Sequence, residues 1–203
     1  MRLASTKKMT VDDAATPHLF QENRQPRTAY LAVPRVSSES RRYVPMALME
    51  PDVIANDALL TVTDATVYTF AILHSSVFMA WNAAVSGRLK SDYRISAEIT
   101  YNNFPWPDEP ANKTQIEAAA QAVLDARDNH PGASLADLYD PLAMPRDLVD
   151  AHQRLDREVL AAYGLKAGAT ESEILANLFT RYSELTADLF TDGKPKKTRK
   201  KKS

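Results

Sequence analysis

Apolar and polar positions alternate in short runs through the first half of the chain. Four runs are rich in β-branched and aromatic residues: 28–33, 43–48, 59–62 and 93–99. A polar, turn-prone stretch at residues 37–42 separates the first two runs. This pattern predicts four strands. Because Pro45 lies inside the second run, we expect that strand at a sheet edge or a bulge.

A longer apolar stretch at residues 65–85 predicts one buried helix. Its apolar residues recur at helical spacing, and Gly87 follows as a C′ glycine. Its length would also suit a membrane span. However, His74, Ser75 and Asn82 lie within the stretch, and neither flank carries a basic cluster. We therefore interpret it as a core helix rather than a membrane segment.

Three hydroxyl residues of the second half precede a carboxylate by three positions, which is typical of helix N-termini. The pairs are Thr114 with Glu117, Ser134 with Asp137, and Thr170 with Glu173. Pro145 suits a first helical turn, and Gly164 is expected to end that helix. The expected core positions are Ile116, Ala120, Val123 and Leu124, then Leu148, His152, Leu155, Val159 and Tyr163, then Ile174, Leu178, Tyr182, Leu185 and Leu189.

Together these patterns predict an α+β fold. A small strand-rich segment with a long buried helix is followed by an all-α helical subdomain. The predicted boundaries are residues 1–107, 108–192 and a tail at 193–203. The tail is too polar to bury apolar area, so we expect it to be disordered.

Charge differs sharply between these segments, although the net charge is only −1. Residues 1–107 hold 11 basic and 10 acidic residues, whereas residues 108–192 hold 7 basic and 16 acidic ones. The tail has 7 basic residues and no acidic one. A bound duplex should therefore lie against the first segment rather than the second.

Composition excludes several classes of active site. With no cysteine, the chain cannot form disulfides or cysteine-ligated zinc sites, and it suits a reducing cytoplasm. Its four histidines are scattered, and His74 and His152 lie on apolar helical faces, where a satisfied core histidine is expected. No phosphate loop, metalloprotease, EF-hand or nucleophile-elbow motif occurs. No apolar run follows Met1, so no signal peptide is expected.

The stretch YNNFPWP at residues 101–107 has two interpretations. Asn103-Phe104-Pro105-Trp106 is superficially similar to the loop with which amino-methyltransferases hold a flipped base. However, the first proline of that loop is replaced, and no two of the five glycines have the spacing of a methyl-donor loop. The favoured alternative is a hinge, because Pro105 and Pro107 prevent helix continuation while Phe104 and Trp106 anchor the junction by burial.

Cationic and polar residues gather at two places in the first segment. One group is Arg35, Ser37, Ser38, Arg41, Arg42 and Tyr43, and the other is Arg88, Lys90, Ser91, Tyr93 and Arg94. Arginine with serine and tyrosine is typical of surfaces that contact phosphates and guanine edges. The alternative is that these are solvated charges paired with Glu39 and Asp92.

Four stretches resemble the C-terminal part of MmeI-like (YeeA-like) DNA adenine methyltransferases of bacterial restriction-modification systems. They are RQPRTAYLAVPRVSSESRRYVPMAL, SSVFMAWNAAVSGRLKSDYRIS, YNNFPWP and LADLYDPLAMPRDLVDAHQRLDREVLAAYG. The resemblance covers residues 2–163. It implies that residues 1–107 are part of a DNA target-recognition domain and that residues 108–192 are a C-terminal helical domain.

The resemblance also implies what this chain lacks. The family's S-adenosylmethionine loop and its Asn-Pro-Pro-Tyr motif lie upstream of the matched part, so neither a catalytic residue nor a cofactor is carried over. The implied partners are double-stranded DNA and a methyltransferase catalytic domain or subunit, without a membrane, in the cytoplasm. The DNA-contacting residues expected are Arg35, Ser37, Ser38, Arg41, Arg42, Arg88, Lys90, Tyr93 and Arg94.

The sequence thus leads to the hypothesis of a DNA-recognition fragment that is not catalytic alone. The alternative is a protein-interaction module or a truncated remnant, in which the acidic helical part docks a methyltransferase subunit. An S-adenosylmethionine-dependent activity belongs to the full-length family and not to the motifs of this chain.

Overall fold

The computed structural model describes residues 2–19 and 24–191, so the predicted tail at 193–203 lies outside the described residues. The strands are β1 Tyr30–Pro34, β2 Val36–Ser37, β3 Ala47–Met49, β4 Leu59–Thr63, β5 Gly87–Leu89 and β6 Asp92–Arg94. The helices are α1 Lys8–Asp12, α2 Val67–Leu73, α3 Ser76–Val85, α4 Lys113–Asp128, α5 Leu135–Leu138, α6 Arg146–Ala162 and α7 Glu171–Thr191. This mixture of small antiparallel sheets and helices, with a helical second half, confirms the predicted α+β class.

The first sheet is antiparallel, in the order β3-β1-β4. Its central strand β1 is buried on both faces from Tyr30 to Val33, which explains its continuous apolar run. Strand β3 is shorter than predicted, since it begins at Ala47 rather than at Tyr43. It lies at the sheet edge, as Pro45 had indicated.

The second sheet is also antiparallel, in the order β2-β6-β5. Strand β5 was not predicted. The strand predicted at residues 93–99 was too long, because β6 ends at Arg94 and a π-helical turn, Ala97–Tyr101, follows. The Ser96 hydroxyl accepts a hydrogen bond from the Ile99 amide at 3.1 Å, so a local side-chain contact starts that turn in place of the ladder.

The single helix predicted at residues 65–85 is wrong in one respect, because it is broken into α2 and α3. Ser75 makes the break: its hydroxyl donates to the Ile72 carbonyl at 2.7 Å and accepts from the Phe78 amide at 3.4 Å, capping the new helix. Gly87 is not a C′ glycine, since α3 ends at Val85, the cap residue Ser86 is already in extended backbone, and Gly87 begins β5. Among the described residues, no helix is long and apolar enough to cross a membrane.

Two of the three predicted helix starts are confirmed. Ser134 forms a capping box with Asp137, and the Thr170 hydroxyl accepts from the Glu173 amide while its own amide donates to the Glu173 carboxylate. The start at Thr114 is wrong, because α4 begins at Lys113 after Asn112. The side-chain amide of Asn112 instead donates to the Glu158 carbonyl and carboxylate, both at 3.0 Å, which links the start of α4 to α6.

The core runs without interruption through both halves of the chain. Helix α4 packs against α2 and α6, and α3 packs against α7, so the two halves share one hydrophobic cluster. The predicted helical core positions are buried or half-buried, except that Leu185 is 58% exposed and the side chain of Leu189 lies outside the described residues. Gly164, at φ 69°, ends α6 as expected.

Candidate DNA interface

The second sheet brings the two predicted cationic groups together. Ser37 on β2 lies opposite Tyr93 on β6, and Arg88 on β5 lies opposite Tyr93 on its other side. The Arg88 guanidinium donates to the Glu39 carboxylate at 3.2 Å, which joins the loop after β2 to β5. Two groups about fifty residues apart in sequence are therefore adjacent in the second sheet.

One face of this sheet turns inward. Ser37 is 2% exposed and Tyr93 is 8% exposed, so neither side chain lies on the surface where a duplex was expected to contact it. Alternation along the strands places both on the covered face. Arg88 lies over the Tyr93 ring at 4.2 Å, and it also donates to the Ser91 carbonyl at 2.9 Å. The Tyr93 ring thus supports Arg88.

The other face of the sheet is open. It carries Arg94, with Val36 and Gly87 as its cross-strand neighbours. Val36 is 39% exposed, and Leu89, which pairs with Asp92 on the same face, is 52% exposed, so Arg94 shares this face with exposed apolar side chains. Arginine beside apolar groups is suited to base edges, which combine hydrogen-bond acceptors with the thymine methyl group.

The remaining candidates surround the sheet. Arg35, Arg42 and Lys90 are exposed, whereas Ser38 and Arg41 are half-buried. The Arg35 amide donates to the Ala58 carbonyl at 2.9 Å, and the Arg35 carbonyl accepts from the Ile95 amide at 2.8 Å. Arg35 is therefore fixed between the two sheets.

Lys90 lies in the two-residue turn between β5 and β6. Its φ of 57° is in the left-handed region, which is uncommon for a residue other than glycine. The alternative interpretation, in which these cations pair with acidic neighbours, holds for Arg88, which forms a salt bridge with Glu39. Within the described part of the chain, Asp92 forms no salt bridge.

Tyr43 anchors the loop that carries Arg41 and Arg42. Its ring is 3% exposed and stacks on His152 of α6 with ring centroids 3.9 Å apart. Its hydroxyl donates to the Asp156 carboxylate at 2.7 Å, and the same carboxylate accepts from the Ser76 amide at 2.7 Å. Burial raises the pKa of the Tyr43 hydroxyl, and the neighbouring Asp156 carboxylate raises it further.

A buried polar cluster lies next to Tyr43, between the two halves of the chain. The Tyr139 hydroxyl bonds to His74 at 2.9 Å and to His152 at 2.8 Å, and Arg127 donates to it twice, at 2.9 and 2.8 Å. Burial, and then the charge of Arg127, hold the pKa of each histidine well below its usual range. The two histidines are core residues, as predicted, but each is satisfied only at Nε2, because Nδ1 of both rings is buried with no hydrogen-bond partner among the described residues. The described residues include no cluster of three or more potential metal ligands.

Asn103 has a structural role in this fold. Its side-chain amide donates to the Glu98 carbonyl at 2.7 Å and to the Ile99 carbonyl at 3.1 Å, which closes the π-helical turn. Phe104 is 3% exposed and packs edge-on against Phe78, with centroids 5.4 Å apart. The Tyr163 hydroxyl donates to the Pro105 carbonyl at 3.1 Å. These contacts favour the hinge interpretation of YNNFPWP over the catalytic one.

Comparison with known proteins divides the chain in two. Residues 1–108 match the family model described as MmeI, target recognition domain, and residues 108–190 match the model described as MmeI, C-terminal domain. The chain belongs to the MmeI family. Its similarity to MmeI was therefore correctly predicted from the sequence.

Two longer proteins are similar to this chain. DNA methyltransferase A of Bacillus subtilis (strain 168) is 41% identical over 186 residues, which cover 91% of this chain and 21% of that protein. The Type IIL restriction-modification enzyme MmeI, solved in complex with DNA, is 42% identical with a TM-score of 0.83, over 92% of this chain and 25% of that one. This MmeI-family chain thus spans a fifth to a quarter of the length of these relatives.

Proposed function

We propose that this chain is the DNA sequence-recognition part of a restriction-modification DNA adenine methyltransferase and is not catalytic alone. Residues 1–107 form part of the target-recognition domain, and residues 108–192 form the helical domain. The observation that carries the proposal is the second sheet, which gathers both cationic groups within the segment matched to the MmeI target recognition domain.

The exposed cations divide by their surroundings. Arg35, Arg42, Lys90 and Arg94 form no salt bridge within the described part of the chain, so they are available to phosphates or base edges. Arg88 is already oriented by Glu39 and by the Tyr93 ring. A guanidinium held in place loses less side-chain entropy on binding than a mobile one.

Electrostatics supports the same side of the molecule. The helical half carries the excess of acidic residues, which repels a duplex, while Arg35, Arg42, Lys90 and Arg94 lie on or beside the second sheet. Ser38 and Arg41 are half-buried at the rim of this surface and complete the proposed contacts.

The chemistry is assigned to a separate methyltransferase domain or subunit. That partner binds S-adenosylmethionine and takes the target adenine out of the duplex, while this chain holds the flanking bases. The proposed location is the bacterial cytoplasm, where the duplex and the methyl donor occur together.

A binding titration tests the proposal. A chain ending at Thr191, which lacks the basic tail, is titrated with duplexes selected from a randomised library at several salt concentrations. Six cationic contacts would give a slope of log K against log salt of about −5, and fewer contacts a shallower slope. Replacing Lys166, an exposed cation of the helical half, with alanine should leave the slope unchanged.

Two outcomes would contradict the proposal. One is undetectable or salt-independent binding by both this chain and the enzyme reconstituted with its catalytic partner. The other is enrichment of no sequence from the library by either form. Both outcomes would favour an interaction module that docks through its acidic helices.

A further inference from the structure

Tyr43 lies at the end of the loop formed by residues 38–42, which carries three of the proposed DNA contacts, Ser38, Arg41 and Arg42. At the start of this loop, Ser37 is held in β2. Near the middle of the loop, Glu39 accepts from the exposed Arg88 guanidinium at 3.2 Å, a contact between two exposed side chains. The other hydrogen bonds inside the loop are local: the Arg41 amide donates to the Ser38 carbonyl at 3.2 Å, and the Ser38 and Ser40 hydroxyls are 3.0 Å apart. The local bonds set the shape of the loop, and the exposed Glu39–Arg88 pair holds only its middle against β5.

At the end of the loop, the anchor comes from the helical half. Tyr43 stacks on His152 with an interplanar angle of 18°, and its hydroxyl donates to Asp156 one helical turn further along α6. The Asp156 carboxylate is itself fixed, because the Ser76 amide at the start of α3 donates to its other oxygen. A charged acceptor with two donors gives stronger and more directional bonds than a neutral pair.

The next residue back along the chain is Arg42. Its guanidinium carbon is 6.0 Å from the Tyr43 ring centroid, so its side chain lies against the ring, and its backbone is bonded directly to that of Tyr43. A displacement of Tyr43 would therefore move Arg42 directly.

We propose that Tyr43, His152 and Asp156 are positioning residues for DNA recognition, through which helix α6 sets the place of the 38–42 loop. The helical domain is then a determinant of sequence selectivity, although none of its residues touches the duplex. This inference rests on the proposed function and names the part of the protein that holds its contact loop.

Conservative variants of the full chain test the inference. Tyr43→Phe keeps the stacking and removes the hydroxyl, and Asp156→Asn leaves one acceptor oxygen for two donors. Tyr163→Phe is the matched control, because it removes a buried hydroxyl that donates to the Pro105 carbonyl and not to this loop. All three should lose similar thermal stability, so stability alone does not separate them.

The first readout is amide hydrogen exchange, which needs no DNA. We expect exchange at residues 38–42 to become about fivefold faster in Tyr43→Phe and Asp156→Asn, the factor that corresponds to one net hydrogen bond. Tyr163→Phe should exchange there like the wild type. Unchanged exchange in both anchor variants would overturn the inference.

The second readout is the ratio of affinities for a library-selected duplex and a scrambled duplex. We expect this ratio to fall about fivefold in both anchor variants, with affinity for the scrambled duplex unchanged, and to stay constant in Tyr163→Phe. If the wild type is selective and its affinity ratio is unchanged in both Tyr43→Phe and Asp156→Asn, the inference is overturned while the proposed function stands. A wild type without selectivity, despite faster exchange in the variants, would overturn the proposed function and this role with it.

Discussion

Replacing Arg127 with methionine should destabilise the fold by about 3 kcal/mol. Arg127 donates twice to the Tyr139 hydroxyl and once each to the His74 ring and, at 2.9 Å, to the Met46 carbonyl. Arg127 therefore connects α4 to the residues that directly follow α5 and α2 and to the residue before β3. Methionine fills the space of the aliphatic stem but donates no hydrogen bond.

The magnitude follows from what each acceptor retains. The Met46 carbonyl loses its side-chain donor, which costs about 1–3 kcal/mol for a buried group left unsatisfied. The Tyr139 hydroxyl and the histidine rings still bond to one another, so their loss is smaller, about 1 kcal/mol together. The guanidinium also lies 5.0 Å from the Tyr139 ring centroid, a contact of about 0.5–1 kcal/mol. Relief of the desolvated charge offsets part of this sum.

Urea unfolding at pH 7.5, followed by the fluorescence of Trp81 and Trp106, measures the free energy of unfolding. Because one core spans both halves, we expect a single transition. Arg154, an exposed arginine of α6, provides the control, and Arg154→Met should stay within about 0.5 kcal/mol of the wild type. A loss of less than about 1 kcal/mol in Arg127→Met would refute the view that this arginine holds the polar cluster together.

Three further outcomes are expected. Burial lowers the pKa of His74 and His152 below the ordinary 6.5, so the stability that the neutral rings contribute is complete above pH 6.5 and is lost as the pH falls below it. The free energy of unfolding in urea should therefore be about 2 kcal/mol lower at pH 5.5 than at pH 7. A stability that does not change with pH would contradict this. Phe104→Ala should lower the free energy of unfolding by about 3–5 kcal/mol in the same assay, since Phe104 is buried at the hinge, and a loss near zero would show that the hinge is not packed. Arg94→Ala should relax selectivity at one base position in library selection, with a cost of about 1–3 kcal/mol there; an equal loss for all sequences would instead indicate a phosphate contact.

Sequence reasoning was most successful where structure is set by local contacts. The capping boxes at Ser134 and Thr170 and the glycine at 164 each depend on residues within one turn, so their patterns predicted the helix ends. It was less successful where a local polar contact competed with an apolar pattern. Ser75 bonds to the Ile72 carbonyl and splits a stretch whose hydrophobicity is continuous.

The candidate site could be predicted only in part, because it is formed by contacts between residues that are distant in sequence. The sequence identified the two cationic groups, but their union depends on β6 pairing with both β2 and β5. Burial of Ser37 and Tyr93 follows from the face on which each lies, which requires the register of that sheet. Arg127 and Asp156 carried no local signal, because their partners lie up to 81 and 113 residues away.

Cations on and beside the second sheet are proposed to bind the duplex. The direct test compares the salt dependence of duplex binding between the chain ending at Thr191 and a variant with methionine at Arg35, Arg42, Lys90 and Arg94. Removing four phosphate contacts should make the slope of log K against log salt shallower by about 3–4, or by less if Arg94 reads a base. An unchanged slope in a variant that remains folded would place the DNA contacts elsewhere and contradict the claim.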